Sequence, residues 1–323
     1  MILEKGLGPV AAIIGPTAVG KTGLSLELAS YLDAEIISVD SRQVYRYLDI
    51  GTDKVSPETR KSILHHLIDV ADPDERFTVM DFVSQAQSAV DRIRSRGKNP
   101  LFVGGTPFYY KVLFEGVISQ NLPSDPEIRL ALENEAREKG REFLHGKLEN
   151  VDRTTAAKLH TNDLRRVIRA LEVYDITGKP ISWWYCQKND NLGTGYDFLY
   201  LGLISPRSEL YERISARVRE QFASGYVEEV KWLLDHGFGK ENPSMQGFGY
   251  KEIIRYLEGD ITLEEAIEGD IKATKAFSRR QMTWFKHFSP SLWYDTSVLG
   301  REVIRRKMLS AICEHCEGSF SGN

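Results

Sequence analysis

An α/β protein is predicted, with a parallel sheet covered by helices and an all-helical insertion. Three observations carry the prediction. Short apolar runs alternate with helix-spaced segments in the first third of the chain. The stretch from about 126 to 177 is helix-spaced with no strand-like run inside it. The first apolar run ends in a glycine-bearing loop that opens a helix. At roughly 100–200 residues per domain, 323 residues correspond to about two domains.

Val10–Ile14 is a short apolar run closed by Gly15, as expected of a buried strand. Leu24–Leu32 has helical spacing, and Glu35–Val39 reads as a second strand ending at Asp40. Phe82–Arg96 reads as a helix stopped by Gly97, and Pro100–Val103 as a third strand running into Gly104-Gly105. This alternation implies a parallel sheet, whose ligands sit beyond the carboxyl ends of its strands. Gly15, Asp40 and Thr106 all fall at such ends. Helices follow over Glu127–Gly140, Arg141–Leu148, Thr154–His160 and Asp163–Ile176. Phe198–Ile204 returns to a strand, the chain after Pro206 is helical through Phe288, and Trp293–Asp295 reads as a short closing strand. The expected organisation is a core of 1–119 and 198–316 with C-terminal helices, a helical insertion at 120–197, and a frayed tail at 317–323.

Composition narrows the function. With 42 Lys and Arg against 46 Asp and Glu, the net charge of −4 supplies no global field for a polyanion. Any such partner must be held by local patches. The stretch Ile271–Tyr294 contains no acid but carries Lys272, Lys275, Arg279, Arg280 and Lys286. No early apolar run approaches the ~20 residues that cross a bilayer. The N-terminus has no basic segment leading into an apolar one, so no membrane association and a cytoplasmic location are expected. Cys186, Cys313 and Cys316 are too few for a disulfide framework. Cys313 and Cys316 have the spacing of half a zinc site without a second half, and read as incidental.

The segment Gly15-Pro16-Thr17-Ala18-Val19-Gly20-Lys21-Thr22 fits the phosphate-loop (P-loop) pattern and lies between a strand and a helix, as that pattern requires. Its backbone N–H groups and the helix N-terminus suit phosphate oxygens. Lys21 supplies a point charge, and the Thr22 hydroxyl is placed to hold Mg²⁺. A nucleotide hydrolase of this type usually ends a later strand with an acid. Here Leu101–Thr106 ends without one, while the second strand delivers Asp40, which opens a reading in which the loop holds a diphosphate leaving group. Asp40 either accepts a proton or a hydrogen bond or caps a helix, and Gln43 has the groups to pair with a base edge. Gly104-Gly105-Thr106 either approaches a ligand or makes a plain turn. His65-His66 reads as packing rather than a metal pair, because adjacent side chains diverge. Arg165 and Arg169 share a helix face, either solvated or suited to phosphates, and Arg213 and Arg217 repeat the spacing. Trp183-Trp184-Tyr185 either stacks bases or packs internally.

Together these residues resemble the tRNA dimethylallyltransferase (tRNA isopentenyltransferase) family. The resemblance is carried by Gly15–Thr22, Asp40-Ser41, Ile50–Thr52, His66–Asp69, Gly104–Thr106, Asn162–Val173, Thr177–Pro180, Gly249-Tyr250 and Arg280–Phe285, spread over nearly the whole chain. Pro107-Phe108 follows Gly-Gly-Thr where many members carry a glycine or another small side chain. The resemblance implies transfer of a dimethylallyl group from dimethylallyl diphosphate to N6 of adenosine 37 in the tRNA anticodon stem-loop, with Mg²⁺ assisting. It implies a tRNA held between an α/β core and a helical insertion domain; a monomer is expected. Carried over by position, Lys21 and the loop hold diphosphate, Thr22 the metal, Asp40 the adenine N6, and Arg217 the diphosphate. Asp40, Ser41, Arg42, Gln43, Thr106, Arg165, Arg166, Val167, Ile168, Arg169, Arg280 and Gln281 fall at tRNA-contacting positions. Members also carry the label ATP-binding because of the loop. The competing readings from the residues are a small-molecule kinase using the same loop and a non-catalytic RNA binder.

Overall fold

The structure, a computed structural model, describes residues 9–116, 122–186, 195–289 and 291–321. Two compact units result: 1–114 with 195–323, and 115–194. The sequence reading placed these boundaries at 119 and 198.

Six strands make one parallel sheet in the larger unit: β1 (Pro9–Ile14), β2 (Ala34–Val39), β3 (His65–His66), β4 (Asn99–Gly104), β5 (Asp197–Ile204) and β6 (Ser291–Asp295). Their order is β3-β2-β4-β1-β5-β6. Central strands are apolar along their length because helices cover both faces of a parallel sheet. All of β2 is buried, and Ala11 of β1 pairs with Leu101 on one side and Leu199 on the other. From β1 the chain passes over the position of β4 to form β2, and β5 lies on the opposite flank. The strand order therefore reverses between β1 and β4, where a crevice opens at the carboxyl ends. His65-His66 is the short edge strand, with His65 Nδ1 at 2.7 Å from the Ile63 carbonyl and His66 Nε2 at 2.7 Å from Glu35. Its two residues are too few to show a period in the sequence.

Helices Lys21–Tyr31, Val79–Ser95 and Arg207–Ala223 begin near their expected positions. Thr78 and Asp81 form a capping box that starts the second of these. After Ala223 the chain breaks into shorter helices, Tyr226–Asp235 and Tyr250–Leu257, before the long Leu263–Phe285. The final helix, Arg301–Ser321, runs past Glu317, where fraying was expected; its Ile304, Met308 and Ile312 are buried in the sheet core. No helix among the described residues is long and apolar enough to cross a membrane.

The smaller unit is helical, with Pro126–Lys139, Arg141–Val151, Arg153–Ala156, Leu164–Thr177 and Ile181–Cys186. Leu132, Leu144, Leu148, Val167 and Leu171 form its core. Glu172 is fully buried there, and burial opposes its charge. Hydrogen bonds from Arg169 and Arg129, with Asp125 N–H and Ser124, outweigh that cost and hold its pKa below the usual carboxylate range.

Candidate active site

A cavity of about 570 Å³ lies in the larger unit at the carboxyl ends of β1, β2 and β4. The phosphate loop forms one wall. Val19 is buried and anchors the loop to the core, while Thr17, Ala18, Gly20, Lys21 and Thr22 line the cavity. Lys21 Nζ lies inside the loop and donates to the carbonyls of Gly15 (3.0 Å) and Pro16 (2.8 Å). Removal from water lowers its pKa to about 8; Asp40 and Asp53 partly offset this, and Arg217 adds to it. Thr22 lines the cavity, and its hydroxyl makes no hydrogen bond among the described residues.

Asp40 ends β2. Its Oδ1 accepts from the N–H groups of Arg42 (2.8 Å) and Gln43 (3.3 Å), so it fixes the turn 40–43. Its Oδ2 makes no hydrogen bond among the described residues and is available to a ligand. One oxygen of Asp40 thus holds the turn, and the other has no protein partner among the described residues. Thr106 Oγ1 accepts from Ser41 N–H (3.1 Å), tying the end of β4 to the same turn.

Arg217, from the helix Arg207–Ala223, donates to Thr17 Oγ1 (2.7 Å) and pairs with Asp53 (3.0 Å). Its Nε is buried without a partner. Lys21 and Arg217 thus come to the loop from different segments, a fit for a dianionic diphosphate.

The structure assigns other work to several residues expected to touch tRNA. Gln281 is only 2% exposed; its Oε1 accepts from Thr17 N–H (2.9 Å) and its Nε2 donates to the Gly105 carbonyl (2.6 Å). It staples the phosphate loop to the end of β4, and a Cβ on Gly105 would lie 2.4 Å from its amide nitrogen, so a side chain there would displace the Gln281 amide. Gln43 accepts from Ser38 and donates to the Thr52 and Asp53 carbonyls, which leaves little of its amide for a base edge. Arg42 donates to the Ser244 carbonyl and lies over the Tyr250 ring (5.3 Å), holding the loop that carries Gly247 and Phe248. Arg280 is exposed beside Phe277 and remains open to a polyanion.

In the helical unit, Val167 and Ile168 are buried in the core of the unit. Arg169 is engaged by Glu172 (2.7 Å) and the carbonyls of Leu122 and Pro123 (both 2.9 Å). Arg165 and Arg166 are exposed; Arg166 pairs with Asp163 at 3.2 Å. The expected result is a split between the two face-sharing arginines. Arg165→Ala should reduce the salt slope of tRNA affinity by about 0.7–0.9 without changing stability. Arg169→Ala should lower stability by about 1–3 kcal/mol, as expected when a charged hydrogen-bonding partner is lost from a buried carboxylate. Thermal unfolding and salt-dependent binding of both variants read the split. Trp184 packs against the core of this unit, and Trp183 meets it edge-on at 5.0 Å.

Asp53, Phe248 and Phe277 also line the cavity and had no sequence signal, and Arg213, which shares the i, i+4 spacing with Arg217, lines it too. A glycine-flanked aromatic or a lone acid in a long chain resembles any other until the fold brings it to the loop.

A parallel α/β sheet with the phosphate-loop sequence at the end of β1, Lys21 and Arg217 converging on that loop, and Asp40 at the end of β2 beyond β4 defines a P-loop protein. Residues 43–288 match the family model described as IPP transferase, and the chain belongs to that family. It is 46% identical over 309 residues to the tRNA dimethylallyltransferase of Dictyoglomus turgidum, covering 96% of this chain and 94% of that one. It is 45% identical over 298 residues to that of Carboxydothermus hydrogenoformans, covering 92% and 95%. Among solved structures it resembles the full-length tRNA isopentenylpyrophosphate transferase of Bacillus halodurans, with a TM-score of 0.71, 38% identity, and 97% and 98% of the two chains covered. It also resembles a eukaryotic dimethylallyltransferase described as acting on tRNA, with a TM-score of 0.81, 28% identity, and 96% and 80% covered.

Proposed function

We propose that this chain transfers a dimethylallyl group from dimethylallyl diphosphate to N6 of adenosine 37 in the tRNA anticodon stem-loop, releasing diphosphate. We take it to act as a cytoplasmic monomer. The observation that carries the reading is the single cavity holding both the phosphate loop with Lys21 and Arg217 and the unpaired Oδ2 of Asp40.

N6 of adenine is a weak nucleophile because its lone pair is delocalised into the ring. Asp40 Oδ2 accepts the N6 proton as the new C–N bond forms, while Oδ1 keeps the turn in place. The allylic carbon spreads positive charge as the C–O bond breaks, so the departing diphosphate dominates the barrier. Loop N–H groups, Lys21 and Arg217 stabilise it. The target base must leave its stack to reach Asp40, at a cost of a few kcal/mol. The oxygen donors beside the loop, the Thr22 hydroxyl and nearby carboxylates, suit a hard cation. Thr22 would hold Mg²⁺, which when bound neutralises diphosphate charge. ATP is not required in this scheme, although the loop has the pattern of one that binds it.

Incubation of the protein with labelled dimethylallyl diphosphate and unmodified tRNA tests the reading. Label at N6 of adenosine 37 is expected. ADP formation from ATP with no labelled tRNA would instead support a kinase, and tight tRNA binding without turnover a non-catalytic binder.

A further inference from the structure

We infer that Glu229 is a positioning residue that sets the loop 49–53 and, through Asp53, the Arg217 guanidinium; this rests on the reading of the cavity as a diphosphate site. Glu229 lies in the first turn of the helix Tyr226–Asp235. Its Oε2 accepts from the N–H groups of Asp49 (2.8 Å) and Ile50 (2.6 Å). Its Oε1 accepts from Gly51 N–H (3.2 Å) and the Tyr250 hydroxyl (2.7 Å). One carboxylate thus gathers three successive backbone donors and a phenol.

The loop is held from its other side as well. Gln221 donates to the Ile50 carbonyl at 2.7 Å. Gly51 lies against the fully buried Tyr226 ring, and a Cβ there would fall 2.3 Å from it. Gln43 then fixes the carbonyls of Thr52 and Asp53. Asp53 leaves this frame with φ of 55° and meets Arg217 at 3.0 Å.

The Asp53 side chain is about half exposed, and ion pairs in such a setting contribute little by themselves. The position of the pair is therefore imposed by the loop rather than by its own attraction. Arg217 in turn reaches Thr17 of the phosphate loop, with its Nε still unpartnered. The route from Glu229 to the phosphate loop runs through loop 49–53 and the direct contacts of Asp53 with Arg217 and of Arg217 with Thr17.

Glu229→Gln keeps the size but sets an amide NH₂ against N–H donors. The measurement is calorimetric binding of inorganic diphosphate, with thermal unfolding alongside, in the wild-type and Arg217→Ala backgrounds. Affinity is expected to fall roughly tenfold in the wild-type background, as for loss of a charged hydrogen-bond acceptor, and to change less than threefold when Arg217 is already absent. In the transfer assay, KM for dimethylallyl diphosphate should rise by a similar factor, with KM for tRNA moving less than threefold. Unchanged affinity, or an equal loss in both backgrounds, would overturn the inference. If Glu229→Gln does not fold, Gln221→Ala loosens the same loop from its carbonyl side and is read in the same cycle with the same outcomes. Binding of inorganic diphosphate needs no transfer. Failure of the wild-type protein to modify tRNA would therefore overturn the proposed function separately.

Discussion

Asp40→Asn is expected to lower kcat by about 10²–10⁴-fold, the usual contribution of a general base, while KM for either substrate changes little. The structure makes this substitution more informative than Asp40→Ala. The amide oxygen of Asn can take the place of Oδ1 and accept from Arg42 and Gln43, so the turn survives. What it replaces is Oδ2, the oxygen left to the ligand, by a group that cannot take a proton. Asp40→Ala should lose catalysis and also about 1 kcal/mol of stability, because the turn loses its acceptor. Transfer at saturating substrates and thermal unfolding of both variants separate the two roles. A near-normal kcat in Asp40→Asn would confine Asp40 to fixing the turn.

The second large effect is expected at Lys21. Lys21→Ala should slow transfer by about 10²–10³-fold, comparable with removal of a preorganised donor to developing negative charge, and should weaken diphosphate binding while leaving tRNA affinity nearly intact. A pH dependence follows from its ammonium lying inside the loop. The pKa is lowered to about 8 by burial, and the protonated form binds the anion. Bound diphosphate raises that pKa, so affinity is full below about pH 8 and falls above it by up to a factor of ten per pH unit. In the free protein the sign is opposite for stability. Between about pH 8 and the ordinary lysine value the unfolded chain binds more protons, so this group's contribution to stability rises with pH. Calorimetric titration of dimethylallyl diphosphate from pH 7 to 10 should show the loss in wild type and not in Lys21→Ala. A flat profile in wild type would mean that the ammonium is not what the diphosphate meets.

Both predictions use residues that a reader of the sequence can find, for a common reason. The phosphate loop is local chemistry: glycines, a lysine and a hydroxyl within one strand-to-helix turn work through backbone geometry that their own order determines. Asp40 and Thr106 are also legible, because each ends a short apolar strand and parallel sheets bring such ends together. The helical insertion is visible as a change of period. The edge strand His65-His66 is not, since two residues carry no period.

What tertiary structure decided is how each polar side chain is used. Arg165 and Arg169 are equivalent by spacing, yet Glu172 and two carbonyls engage only Arg169. Gln43 and Gln281 fall in segments that resemble tRNA-contacting ones, yet their amides join loops far apart in sequence. Val167 and Ile168 lie among arginines but face the core. Glu229 has no sequence signal at all, because three of its four partners are backbone N–H groups that every residue except proline possesses. The sequence by itself determined the α/β sheet, the helical insertion, the phosphate loop and the acid at the end of the second strand, because these follow from local period and turn chemistry. Only the folded chain decided which charges remain free for a substrate, because hydrogen bonds between distant segments depend on positions that no local pattern records.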